Sequence, residues 1–145
     1  MRAELFALLT AACWAVGSFL EKKGVTLGNL SPVMGTTIRT VVSLVFLLLI
    51  SYPYWHQVKA AGPKPLLMIG IGGGILAGGL GIIFLYTGLK TGNISTVMTI
   101  AFCMAPVLGA VLGYLVLHEK LAPMQLFGML LCVLGAFFVI YFKKH

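Results

Sequence analysis

The chain has 145 residues, of which 60% are hydrophobic and 9% charged, with a net charge of +7 and a mean hydropathy of +1.06. A soluble domain carries about 25% charged residues, so the side chains needed to cover a water-facing surface are missing. That excludes a soluble enzyme, a disordered tail and a disulfide scaffold, and it leaves a polytopic membrane protein. The positive charge does not point to nucleic acid. The basic residues stand singly or in pairs at the ends of apolar runs, where they meet lipid headgroups, and no basic stripe with interleaved aromatics is present.

A bilayer core is crossed by a helix of about 20 apolar residues, and the chain offers five such runs. The first, about 3–20, is expected to end at Glu21-Lys22-Lys23-Gly24. Arg2 ahead of an apolar stretch resembles a secretion signal, but Glu4 interrupts the charged segment and the run continues to Leu20, so a retained helix is expected. The second, about 32–52, begins with Ser31 as N-cap and Pro32 at the first helical position. It closes on the aromatic belt Tyr52-Pro53-Tyr54-Trp55-His56. A polar loop with Lys59, Pro63, Lys64 and Pro65 leads to the third run, about 66–89. The fourth, about 93–117, follows Lys90-Thr91-Gly92, and the fifth, about 122–142, follows His118-Glu119-Lys120. Glu119 is expected to pair with Lys120 or to cap the fifth helix. Backbone groups in lipid must pair within their own segment, so the fold class expected is all-α, with five transmembrane helices. The short alternating segments of a β-barrel are absent.

Small residues predict the packing faces: Gly70, Gly74 and Gly78 on the third helix, Ala105, Gly109 and Gly113 on the fourth, Gly128 and Gly135 on the fifth. Gly72-x-Gly74-x-x-Ala77 matches a dinucleotide fingerprint in form, but it lies inside an apolar run without the strand before it or the acidic residue after it. Cys13, Cys103 and Cys132 show no metal or redox spacing and read as packing residues. No cofactor is expected, and no nucleophile–base set indicates an enzyme.

The charge balance across the membrane is nearly even. Arg2, Lys59, Lys64 and Lys120 fall on one side, and Lys22, Lys23, Lys90, Lys143 and Lys144 on the other. Orientation follows the Lys/Arg difference, so the count motivates insertion in both directions and an antiparallel homodimer. Such a dimer reproduces the inverted repeat of many transporters.

Ionisable residues inside the membrane are costly and default to function. Glu21, at the end of the first span, and Arg39, about two turns into the second, are the candidates, both toward the same side of the membrane. Arg39 either holds an anionic group of a substrate or lipid, or it snorkels or pairs with Glu21. Pro106, midway along the fourth helix, removes a helical hydrogen bond. It is either a hinge or a bend that fits its neighbours. Trp14 and Ser18 share a face of the first helix, and Tyr86, Thr87, Asn93, Ser95, Thr96 and Thr99 cluster where the third helix ends and the fourth begins. They line a polar vestibule or serve as local caps.

The run Leu8 to Ser18 with its Trp14-Ala-Val-Gly17-Ser18, the segment Leu30-Ser-Pro32 through Arg39, the connection Tyr86-Thr-Gly-Leu-Lys90-Thr-Gly-Asn93-Ile-Ser95, and Pro106, Gly113, Glu119-Lys120-Leu121 and Gly128 through Gly135 together resemble one EamA domain of the drug/metabolite transporter superfamily. The resemblance covers nearly the whole chain. It implies half of an inverted-repeat transporter of small metabolites, working by alternating access around a cavity between two copies in a cell membrane, by expectation a prokaryotic inner membrane. It further implies a cavity involving Trp14, Ser18, Arg39, Tyr86, Asn93, Ser95 and Thr99. The chain departs from the two-domain pattern usual in the superfamily. It also differs from the small multidrug resistance proteins, which carry an acidic residue midway along their first helix where this chain reads Ala11-Ala-Cys13-Trp14-Ala15. The alternatives are a component of a lipid-linked sugar or polyprenyl-phosphate flippase and a non-transporting partner subunit.

Overall fold

A computed structural model describes residues 3–142, with side chains from Leu5 onward. Arg2, Lys143 and Lys144, which enter the charge balance above, lie outside the described residues, as does the side chain of Glu4. The chain divides after Thr91 into two compact units. Among the described residues, five segments are long and apolar enough to cross a membrane: Leu5–Leu27, Pro32–Tyr54, Pro63–Thr91, Ile94–Val116 and Pro123–Tyr141.

In the first unit, α1 spans Ala3–Leu27 and α2 spans Pro32–Ser51. The expected stop at Glu21-Lys22-Lys23-Gly24 is not a stop. Glu and Lys are good helix formers, and one glycine costs only about 1 kcal/mol, so α1 runs on for a further turn. What ends it is a Schellman turn. Leu30 N–H donates to Val25 O at 3.0 Å and Asn29 N–H to Thr26 O at 3.3 Å, while Asn29 adopts φ 46°. Asparagine tolerates this left-handed conformation better than most residues. Ser31 then caps α2, its Oγ accepting from Met34 N–H at 3.2 Å, with Pro32 behind it as expected.

A 3₁₀ turn at Tyr52–Tyr54 and a short helix α3, His56–Ala61, occupy what was expected to be a loop. The third span starts at Pro63, earlier than its apolar run suggests, because Gly62 (φ 77°) breaks the chain and Pro63 and Pro65 fit a first helical turn. It comprises α4 (Pro63–Ile69), a π-helical stretch Gly70–Gly81 and α5 (Ile82–Thr91). The close packing expected of Gly70, Gly74 and Gly78 is not seen within this unit, since a Cβ on Gly70 or Gly74 would meet nothing within 4 Å, although Gly74 and Gly78 line one space together with Thr36, Thr37 and Thr40 of α2. In the wider turn, glycines instead stack on the carbonyl five residues back: a Cβ on Gly78 would lie 2.7 Å from Gly73 O, and one on Gly81 3.2 Å from Leu76 O. Glycine leaves those contacts open, which is how so long a π segment survives. Such segments usually occur as single turns at functional sites.

The helix α5 packs against both α1 and α2. Val25, Ile82 and Tyr86 are buried there, with Trp14 and Leu85 packed on them. The contact requires Gly35, where a Cβ would meet Tyr86 Cε1 at 2.6 Å and Val25 Cγ2 at 2.9 Å. Lysines fasten the end of the unit: Lys22 Nζ donates to Leu89 O at 2.7 Å and Lys90 Nζ to Leu30 O at 2.8 Å, satisfying carbonyls near helix termini. Most other apolar side chains are exposed, in keeping with helices whose outer partner is lipid. Hydroxyls are satisfied locally. Thr36, Thr37, Thr40 and Thr87 each donate to the carbonyl four residues back at 2.8–2.9 Å.

In the second unit, α6 (Ile94–Val116) packs against α7 (Pro123–Tyr141). The expectation for Glu119 is corrected. Its carboxylate lies against buried Gly113, where a Cβ would come within 2.7 Å of Oε2, and its N–H donates to Gly113 O at 3.1 Å. The start of α7 is held instead by Gln125, whose Oε1 accepts from Ala122 N–H at 2.9 Å. The amide is three residues into the helix and can fold back on the chain, the reciprocal half of a capping box. Cys103 and Cys132, remote in sequence, bring their thiols within interacting range and remain free.

Candidate functional site

The ionisable pair inside the membrane spans is the starting point. Glu21 lies six residues before Leu27 on α1, and Arg39 lies seven residues after Pro32 on α2. At 1.5 Å per residue both sit about 9–10 Å from the turn that joins the helices, so a tight antiparallel hairpin places them opposite each other. Arg39 Nε and Glu21 Oε1 are 2.9 Å apart, with side chains 32% and 21% exposed. This is the ion pair found among the described residues. Of the two roles open to Arg39 from sequence, pairing with Glu21 is the one seen. Arg39 is not consumed by it: its guanidinium carbon also stands 5.9 Å from the centre of the Trp14 ring, within cation–π range.

The pair borders two spaces within the first unit. The first, about 200 Å³, runs from Cys13 and Trp14 through Gly17 and Ser18 to Glu21 and Arg39, with Ile82 and Leu85 of α5 as its apolar wall. Trp14 and Glu21 are seven residues apart on one face of α1, so this space spans about 10 Å along the helix. Ser18 between them is 2% exposed. The second space, about 340 Å³, also borders the pair, and there Arg39 and Glu21 line it with Tyr86, Gly35, Ile38 and Ser43. The Tyr86 ring is 3% exposed and its hydroxyl is within interacting range of the Glu21 carboxylate. One charged pair thus borders both spaces, with Trp14 lining the first and Tyr86 the second; apart from the pair, Ser43 and Tyr86, the second is lined by apolar residues and glycines.

Of the residues singled out from sequence, Trp14, Ser18 and Arg39 line the first space, and Tyr86 joins Arg39 at the second. Thr87 does not contribute a free hydroxyl, since it donates to Ile83 O. Asn93, Ser95, Thr99 and Pro106 belong to the second unit. There Asn93 is the N-cap residue of α6 without a side-chain cap bond, Ser95 is exposed, Thr99 is half-buried, and Pro106 lies inside a continuous helix. The cavity expected from sequence did not include Cys13, Gly17, Ile82 and Leu85, and Glu21, although singled out as an intramembrane candidate, was not placed in it. For Glu21 and Gly17 a signal existed, because positions 14, 17, 18 and 21 form one helical stripe. For Ile82 and Leu85 there was none, since they mark only where α5 docks. No cluster of His, Cys, Asp or Glu suited to a metal occurs among the described residues.

A polar cavity around an intramembrane ion pair, walled by three spans, is a setting for recognising a small polar solute away from water. No curated protein and no solved structure matched the chain. The family model described as the EamA-like transporter family matches residues 1–141, almost the entire length. The five apolar helices agree with that assignment, and the chain belongs to the EamA-like transporter family.

Proposed function

We propose that this protein is one half of a secondary transporter for small metabolites. It works by alternating access in an antiparallel homodimer, with the space around Trp14, Ser18 and Arg39, and the adjoining one at Tyr86, as its substrate-binding region. The observation that carries the reading is the Glu21–Arg39 pair, held inside membrane-spanning helices yet partly open to a cavity of about 200 Å³. A pair kept only for packing gains little over apolar residues of similar volume, whereas intramembrane charges recur on substrate pathways. Family membership supplies the transporter class, and the even Lys/Arg balance supports two opposite insertions. Pro106 in α6 is the proposed point of flexure.

Two measurements test this. A reporter fused after His145 and read on both sides of the membrane is expected to be active on each; activity on one side alone refutes the antiparallel arrangement. Proteoliposomes containing the protein are expected to take up small polar solutes, and Arg39→Gln is expected to lose that uptake while retaining its folded yield. If Arg39→Gln loses only yield, the residue is a structural anchor.

A further inference from the structure

Resting on the transporter reading, we infer that the ligand of this site is a small zwitterion, carrying a cation and an anion a few ångströms apart. The argument starts from charge balance. Glu21 and Arg39 neutralise each other at 2.9 Å in a part of the fold where apolar side chains and lipid set the dielectric. A singly charged ligand binding to one partner displaces the other and leaves a net charge unpaired, which a low-dielectric site resists strongly. A neutral ligand must intrude on the pair without replacing either of its contacts. A zwitterion can open the pair and give each partner a new counter-charge, anion to the Arg39 guanidinium and cation to the Glu21 carboxylate, so that four alternating charges replace two and the site stays neutral.

The geometry suits this exchange. Both charged groups are partly exposed, so each can be approached. The space beside them extends from the pair to Trp14, whose ring already lies 5.9 Å from the guanidinium carbon. Ile82 and Leu85 form an apolar wall for a short side chain. The volume of about 200 Å³ suits a solute of a few heavy atoms or the headgroup of a lipid, and both a free amino acid and a phosphatidylethanolamine headgroup have the required charge pattern.

The test uses the full chain with Trp55→Phe, which leaves Trp14 as the one tryptophan, reconstituted in vesicles of phosphatidylglycerol alone. The probes are alanine, ethylamine and propionate, followed both by Trp14 emission and by uptake. Alanine is expected to shift the emission saturably, at concentrations at least tenfold lower than either singly charged probe. Glu21→Gln is expected to turn the preference toward propionate, and Arg39→Gln toward ethylamine. A purely structural ion pair would not produce this reversal. A gel-filtration profile like that of the parent chain shows that each variant is folded. Equal or tighter binding of ethylamine or propionate to the parent chain overturns the inference, as does unchanged selectivity in folded variants or no response to any probe. Uptake of a singly charged solute without alanine binding overturns the inference and leaves the transporter reading standing. Alanine binding with the predicted reversals but without uptake does the opposite. Vesicles containing phosphatidylethanolamine separate the two sources. If that lipid alone shifts Trp14 emission and alanine competes with it, the zwitterion is the lipid headgroup.

Discussion

Gly35 is the position at which the docking of α5 on the α1–α2 hairpin is most exposed to a single methyl group. An added Cβ would stand 2.6 Å from Tyr86 Cε1, 2.7 Å from Tyr86 Cδ1 and 2.9 Å from Val25 Cγ2. All three distances are about an ångström short of a normal carbon–carbon contact. The atoms it meets have little room to retreat, since Tyr86 and Val25 are both buried in the same small cluster. Overpacking of this kind costs roughly 1–3 kcal/mol. For a chain of this length that is a fall in Tm of roughly 2–12 °C. The assay is thermal unfolding of the detergent-purified protein, followed by the remaining monodisperse fraction after heating. Gly24→Ala is the internal control: it sits in the same unit, inside α1, and a Cβ there meets nothing within 4 Å. That variant is expected to be neutral or more stable by up to ~1 kcal/mol, the helix-propensity gain of alanine over glycine. Repeating Gly35→Ala in a Tyr86→Ala background removes the main obstacle, so most of the penalty is expected to vanish, a coupling that marks direct contact. If Gly35→Ala melts like the parent chain, or costs the same with and without the Tyr86 ring, then α5 does not dock on α2 as described.

Three further expectations concern stability. Gly78→Ala is expected to destabilise the π-helical stretch, because its Cβ would lie 2.7 Å from a backbone carbonyl that cannot rotate away, whereas Gly72→Ala in the same stretch meets nothing within 4 Å and is expected to be tolerated; comparing their melting temperatures checks this. Glu21→Gln and Arg39→Gln are each expected to cost about 1–3 kcal/mol, between an exposed pair and a buried one, and the double variant less than the sum, as a double-mutant cycle of melting curves would read. At the hairpin turn, Ser31→Ala is expected to lose about 0.5–2 kcal/mol with the α2 cap, while Asn29→Gly stays close to the parent and Asn29→Val loses about 1–2 kcal/mol at its positive φ.

Much of this architecture was legible without coordinates because the bilayer simplifies the problem. The lengths of the apolar runs are set by the thickness of the hydrocarbon core, and the need to satisfy every backbone group within it selects helices. Ser31-Pro32 announced the start of α2 for local reasons. Two local signals misled. Glu21-Lys22-Lys23 read as the end of a span, yet charge ends the hydrophobic stretch and not the helix, which stops where the backbone turns left-handed at Asn29. The glycines at 70, 74 and 78 read as an ordinary α-helical face, yet they lie in a π-helical stretch in which a Cβ on Gly78 would meet the carbonyl of Gly73, five residues back.

The site divides in the same way. That Arg39 and Glu21 are the ionisable groups inside the spans, and that Trp14 and Ser18 share a face, follows from the order of residues alone, because helical periodicity and the exclusion of charge from lipid are local rules. The α1–α2 hairpin alone brings the two charges to 2.9 Å, but that Tyr86 joins them at the second space and that Ile82 and Leu85 close the wall of the first were decided only when α5 docked on that hairpin. Contacts between residues 45 or more positions apart depend on which face of one helix meets which groove of another. Without a hydrophobic drive between helices in lipid, that choice rests on close fits such as Gly35 against Tyr86, which no single segment of the chain encodes.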